Sequence, residues 1–139
     1  MGAERNDVPR ASVLTALRRT VAMSSDARVA IGGKVPVGRE EEPGVVEECR
    51  LALDAGGTIL PVGAFGGAAE LVARVAYPDA YDGDGTARPS SSTDRLMHSQ
   101  QARHRTIPTE VRLALASSVD PAILAAAVVE GLRAVLRLR

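Results

Sequence analysis

Two short apolar runs separated by an amphipathic segment constrain this chain most. The runs are residues 28–31 and 58–62, and the segment between them, 45–55, has apolar residues at helical spacing. A strand, a helix and a second strand in this order predict a parallel pair joined by a crossover. The pattern predicts an α/β fold in which a small parallel sheet is flanked by helices. Run 28–31 is typical of a buried parallel strand.

Helices are also predicted on both sides of this unit. Pro9 suits a helix start, and the last helix begins at Asp120 and Pro121, a capping residue and a first-turn proline. Two shorter helices are expected at 68–76 and from Pro108 to about Ser117. In the first helix the residues at apolar spacing, with Arg18 and Arg19 on the other face, are Val13, Leu14, Leu17 and Val21. In the last helix one side carries Ile123, Leu124, Ala127, Val128, Leu132, Val135 and Leu136.

Only two strands are convincing, and a two-stranded parallel sheet is too small for a stable doubly wound core. Either a weak strand is hidden, or a preceding domain or another subunit completes the sheet. Residues 78–105 are polar and read as a flexible excursion. The predicted division is an α/β segment at 1–77, a linker at 78–106, and helices at 107–139 that pack on the same domain.

Composition excludes several classes of function. The chain has 139 residues, with 17 Lys and Arg against 17 Asp and Glu, so its zero net charge gives no support for nucleic-acid binding. No apolar run is long enough to span a bilayer, and no signal peptide is visible, so a cytoplasmic protein is the default expectation. Cys49 is expected to be a buried core thiol, and no metal site or cofactor is predicted from it together with His98 and His104.

The glycines that end each apolar run mark the candidate site. In open α/β sheets ligands bind beyond the carboxyl ends of the strands, and N–H groups at helix starts favour phosphate or carboxylate. Each loop alone is explained by a tight turn, whereas two parallel loops on neighbouring strands favour a small anionic or nucleotide-like ligand. The candidate ligand-binding residues are Gly32, Gly33, Lys34, Pro43, Gly44, Glu47, Glu48, Gly63, Phe65, Gly66 and Gly67.

Glu47 and Glu48 admit two interpretations. Acids in the first turn of a helix are stabilised by its dipole. Alternatively, one of them accepts hydrogen bonds from a ribose or acts as a general base. No Ser/His/Asp or Cys/His arrangement is apparent, so no catalytic residue is assigned. Lys34 is the only lysine in the chain, and its place beside two glycines leaves its role open.

These residues resemble the SLOG superfamily, which groups LOG proteins with Smf/DprA-like Rossmann domains. The features that carry the resemblance are the helix around Leu17 and the stretches 26–34, 43–48 and 61–69. They extend over roughly residues 14–76, about half of the chain. The branch that the chain resembles most is STALD, which associates with Sir2 and TIR domains in bacterial defence systems.

The resemblance implies the C-terminal half of a Rossmann-like, three-layer α/β domain with a small parallel sheet flanked by helices, and therefore an incomplete SLOG domain. STALD domains are thought to sense nucleotide signals derived from NAD, whereas LOG enzymes hydrolyse nucleoside monophosphates with a Pro-Gly-Gly-x-Gly-Thr-x-x-Glu loop and an arginine. Here Pro43 and Gly44 are followed by Val45, without the Gly-Thr extension. The resemblance thus favours a nucleotide-sensing module, with a phosphoribohydrolase and a non-binding remnant or interaction subunit as alternatives. The expected partners are a small nucleotide-like ligand and a second subunit or domain that completes the sheet, with no nucleic acid and no membrane.

Overall fold

The computed structural model describes residues 9–37, 42–81, 96 and 106–136. Within these residues the chain forms five α-helices, two strands and one short 3₁₀ turn at Pro78–Ala80. In chain order the helices and strands are α1 (Arg10–Met23), β1 (Ala27–Ile31), α2 (Gly44–Asp54), β2 (Thr58–Val62), α3 (Gly67–Ala76), α4 (Thr109–Ser117) and α5 (Pro121–Leu136).

The two strands are parallel neighbours. Their register runs from Ala27 opposite Thr58 to Ile31 opposite Val62. The predicted α/β class and parallel pairing are therefore confirmed. The helix ends follow the expected chemistry as well, since Asp120 Oδ1 accepts hydrogen bonds from the N–H groups of Ala122 at 2.8 Å and Ile123 at 3.3 Å.

Helices cover both faces of β2, which gives three layers. On one face Ala30 and Ile59 pack with buried residues of α2 and α3, among them Val46, Cys49 and Val72. On the other face β2 packs against α4 and α5. The buried residues in that layer include Leu60, Val62, Val111, Leu115, Leu124 and Ala127.

A core with so few aromatic side chains depends on close contact between helix and sheet. Gly131 of α5 provides this contact, because a Cβ there would lie 2.9 Å from Leu60 Cδ2. The helix backbone therefore approaches β2 as closely as the leucine side chain permits. The residues of α5 that are buried are Leu124, Ala127, Gly131 and Val135, whereas Ile123 and Leu136 from its predicted apolar side are exposed.

Residues 28–31 lie in a strand as predicted, but the prediction that this strand is buried is wrong. Ala30 is the one buried residue of β1, whereas Val29 and Ile31 are 43% and 56% exposed. The register places these two side chains beside Leu60 and Val62 on the same face of the sheet. The helices on that face pack on β2 and leave β1 open. We call Val29 and Ile31 the open face of β1.

Helix α1 likewise exposes its apolar side. Its contact with the rest of the chain is chiefly with α2, through Thr15 and Arg18. Arg18 comes from the side that the sequence pattern assigns as polar. We call the exposed apolar side of α1 the α1 ridge, and its residues are Val13, Leu14, Leu17 and Val21.

Residues 78–105 are described in part. Tyr81 follows the 3₁₀ turn and packs on Gly63, and Leu96 is a fully buried member of the core around α2 and α3. The remainder of the predicted excursion lies outside the described residues, as do His98 and His104.

Candidate functional site

The two glycine loops meet at the carboxyl ends of the strands. A Cβ on Gly67 would lie 2.5 Å from the Gly33 carbonyl oxygen, and a Cβ on Gly33 would lie 2.5 Å from Val45 Cγ2 and 3.2 Å from Ala68 Cβ. The loop after β1, the loop after β2 and the first turn of α2 are thus in direct contact. Both Gly33 and Gly67 also have positive φ, at 97° and 70°, which glycine adopts without strain.

Part of this contact is made by hydrogen bonds at the start of α3. The Ala68 N–H donates to the Gly33 carbonyl at 3.1 Å, and the Ala69 N–H donates to the Gly32 carbonyl at 2.8 Å. These first-turn groups have no acceptor inside their own helix. Because the β1 loop supplies the acceptors, two donors at the α3 start already have partners within the protein.

The start of α2 is arranged differently. Its N-cap residue is Pro43, and no side chain caps it. The guanidinium of Arg18 lies over Gly44, since a Cβ there would be 2.6 Å from Arg18 Nη2. A helix N-terminus favours an anion, and here the adjacent guanidinium adds a positive charge that it shares with Glu47 and Glu48. Neither helix start in the predicted site has a side-chain cap, and the start of α2 differs from that of α3 in the guanidinium beside it.

Glu47 and Glu48 are held by side chains from α1 and β1. Glu47 accepts hydrogen bonds from Thr15 Oγ1 at 2.7 Å and from Arg18 Nη1 at 2.5 Å. Glu48 accepts from Arg18 Nε at 3.3 Å and pairs with Arg28. All four charged side chains are partly buried. These pairs fasten α1 and β1 to the first turn of α2.

Sequence reasoning identified the two glutamates but missed the partners that hold them. Thr15 is 32 positions away from Glu47, and Arg28 is 20 positions away from Glu48. No local spacing rule links residues at such separations, because only the fold brings them together. The hydrolases that the chain resembles carry an arginine together with their glutamate loop. That arginine was the signal from which an arginine partner for the glutamates could have been predicted.

The remaining predicted site residues lie around this junction. Lys34 follows the β1 glycines and is exposed. Phe65 is half exposed in the loop between β2 and α3, and Gly66 has φ 72° and ψ −157°, a conformation essentially limited to glycine. Gly63 is required by packing, since a Cβ there would collide with the Tyr81 hydroxyl.

Cys49 is buried beneath this junction. Burial raises the pKa of its thiol from 9.0 to about 12, with a smaller opposing effect from the Arg28 charge. A neutral thiol without access to solvent is a core group, as the sequence predicts.

The chain belongs to the SLOG family. The family model described as SLOG cluster2 matches residues 3–114, which includes both strands, both glycine loops and the glutamate pair. Comparison with curated proteins and with solved structures gave no significant match. The chain therefore carries a Rossmann-like domain of a nucleotide-related family. Among the described residues, no helix has the length and apolar character needed to cross a bilayer.

Proposed function

We propose that this SLOG domain binds a nucleotide derived from NAD, or a similar ADP-ribose-like ligand, and acts as a sensing module in a bacterial defence or signalling system. The observation that carries the proposal is the contact between Gly33 and Gly67, which brings both glycine loops together beside the α2 start. The resemblance to the STALD branch supports the choice of ligand class. Zero net charge and few aromatic side chains favour a small ligand over a nucleic acid.

The ligand phosphates belong at the start of α2 in this proposal. Both helix starts were candidates, but Gly32 and Gly33 carbonyls already accept from the first turn of α3. At α2 the helix dipole and the Arg18 guanidinium over Gly44 favour negative charge. The exposed Lys34 directly follows Gly33, where an added Cβ would meet Val45 in the first turn of α2. Arg18 is shared with Glu47, so Lys34 is the cation that we assign to the ligand.

A nucleoside-monophosphate hydrolase is the second candidate, because Glu47 and Glu48 could supply a base. Two observations favour the sensing module over it. Both carboxylates are engaged in ion pairs with Arg18 and Arg28, and the phosphate-anchoring Gly-Thr extension is absent after Gly44. A base contributes little unless the substrate is held within its reach. A non-binding interaction subunit is the third alternative.

The single lysine offers a direct test of occupancy. Acetylation of Lys34 in the full chain is followed by peptide mass spectrometry, with and without saturating ADP-ribose. The proposal predicts that ADP-ribose slows acetylation of Lys34 and leaves the N-terminal amine unaffected, which serves as the internal control. Equal acetylation of Lys34 in both samples contradicts the assignment.

A further inference from the structure

A carboxylate of α3 has one oxygen engaged and the other one open beside Gly66. Glu70 Oε1 accepts both hydrogen bonds from Arg74, from Nε at 3.1 Å and from Nη2 at 2.7 Å. A Cβ on Gly66 would have one neighbour within 4 Å, Glu70 Oε2 at 3.6 Å. Among the described residues Oε2 has no hydrogen-bond donor, so a partly exposed acceptor faces the bare glycine backbone.

Phe65 lies next to Gly66, in a turn that the backbone holds at both ends. The Gly66 N–H donates to the Gly63 carbonyl at 3.0 Å and closes the turn, and the Gly63 N–H donates to the Leu115 carbonyl of α4 at 2.9 Å. Phe65 is the one phenylalanine of the chain and is 52% exposed, whereas Tyr77 is fully buried. The turn therefore presents an aromatic ring at the carboxyl end of β2.

We propose that Phe65 and Glu70 form a nucleoside subsite, in which the base of the ligand stacks on the Phe65 ring and Glu70 Oε2 accepts a hydrogen bond from a ribose hydroxyl. This inference rests on the proposed function, because it concerns the same ligand. Aromatic rings stack on nucleic-acid bases, and carboxylates accept from ribose hydroxyls in dinucleotide-binding folds. One exposed ring and one open carboxylate oxygen match one nucleoside.

The subsite adjoins the place that the proposed function assigns to the phosphates. Phe65 is two residues from Gly67, so their Cα atoms are at most about 7 Å apart. Gly67 in turn contacts Gly33, the residue before Lys34. A ligand with its phosphates at the α2 start thus reaches the subsite across the contact between the two glycine loops.

The chemistry of the two helix starts divides the ligand in the same way. At α3 the N–H groups of Ala68 and Ala69 are bonded to carbonyls of the β1 loop, and the nearby side chain is the Glu70 carboxylate. A carboxylate repels a phosphate and accepts from a hydroxyl. At α2 the neighbouring side chain is the Arg18 guanidinium. The α3 start therefore suits the ribose and the α2 start suits the phosphates.

Fluorescence tests the base position, because the chain contains no tryptophan. In the Phe65→Trp variant of the full chain, ADP-ribose should quench the emission of the introduced indole, whereas ribose 5-phosphate, which has no base, should not. In Val119→Trp, at a position that is 67% exposed, neither compound should quench. Unchanged emission from Phe65→Trp in a sample that calorimetry shows to be saturated with ADP-ribose overturns the stacking.

Calorimetric titration tests the carboxylate with ADP-ribose and with two analogues that lack the 2′- or the 3′-hydroxyl of the adenosine ribose. The wild type should bind at least one analogue about tenfold more weakly than ADP-ribose, the loss expected for one hydrogen bond to a charged acceptor. Glu70→Ala should bind that analogue and ADP-ribose equally. Glu130→Ala, which removes a carboxylate from a similar ion pair with Arg133 on α5, should discriminate as the wild type does.

The outcomes separate this inference from the proposed function. If ADP-ribose binds to the wild type but neither analogue binds more weakly, or if Glu70→Ala discriminates as the wild type does, the role of Glu70 is wrong and the proposed function stands. If ADP-ribose does not bind to the wild type, both are wrong.

Discussion

Ala69 donates its N–H to the carbonyl of Gly32 at 2.8 Å, so the start of α3 is capped by the loop that follows β1. The two glycine loops of the candidate site are for this reason one interlocked unit. A substitution that displaces the backbone of one loop should therefore displace the other loop as well.

Gly67→Ala should destabilise the domain more than Gly32→Ala. Both positions have positive φ, which costs a side chain about 1 to 2 kcal/mol. At Gly67 the new Cβ would also lie 2.5 Å from the Gly33 carbonyl oxygen, whereas at Gly32 no atom lies within 4 Å. The backbone shift that removes this collision should lower the free energy of unfolding by a further amount of about 1 to 3 kcal/mol. Urea unfolding of both variants measures the difference, and equal free energies of unfolding contradict an interlocked junction.

Gly63→Ala should destabilise the domain through Tyr81. The added methyl would meet the Tyr81 hydroxyl and would lie 2.9 Å from Ala73 Cβ. Among the described residues the Tyr81 hydroxyl is buried without a hydrogen-bond partner, so Tyr81→Phe alone should change stability little. In the Tyr81→Phe background Gly63→Ala should cost about 1 kcal/mol less than in the wild type. Additive effects in this double-mutant cycle would show that the two residues do not touch.

Stability should fall as the pH rises above 9, in part because of Cys49. Its thiol pKa is about 12 in the folded chain and 9.0 in the unfolded chain. Between these values the unfolded state loses a proton that the folded state keeps, so ionisation favours unfolding by up to about 1.4 kcal/mol per pH unit. The free energy of unfolding of Cys49→Ala should therefore decline less steeply from pH 9 to pH 11. Parallel declines in the two proteins would contradict a buried neutral thiol.

The chain should not release adenine from adenosine monophosphate. Glu47 and Glu48 are engaged with Arg18 and Arg28, and the loop after Gly44 lacks the extension that anchors phosphate in the hydrolases. Chromatography of a long incubation checks for free adenine. Turnover that disappears in the variant carrying both Glu47→Gln and Glu48→Gln would instead establish the hydrolase.

Much of this fold can be predicted from local patterns. The parallel strands, the helix boundaries and the Asp120 cap all follow from apolar spacing and from residues that favour helix ends. The exposure of Val29 and of the α1 ridge could not be predicted in the same way. Apolar spacing identifies which side of an element is suited to burial, but it does not show whether another element of the fold packs on that side.

The sequence predicts where the two glycine loops of the candidate site meet, but it does not predict the side-chain and backbone contacts around them. Glycines after parallel strands indicated where the loops meet, and Gly33 and Gly67 do meet there. The carbonyl caps on α3 and the pairing of Glu47 with Arg18 depend on residues that are distant in sequence. The same contacts show that a bulky substitution at Gly66 is a poor test of binding, because its backbone conformation belongs to glycine alone.

Calorimetric titration of ADP-ribose into three proteins tests the central claim most directly. Those proteins are the wild type, Lys34→Ala and Arg19→Ala, which removes an exposed cation from α1. We predict that the wild type and Arg19→Ala bind with the same affinity and that Lys34→Ala binds roughly tenfold more weakly, the loss of about 1.4 kcal/mol expected for one charge-assisted contact. No binding to the wild type, or equal affinity of all three proteins, would contradict a nucleotide site at the glycine loops.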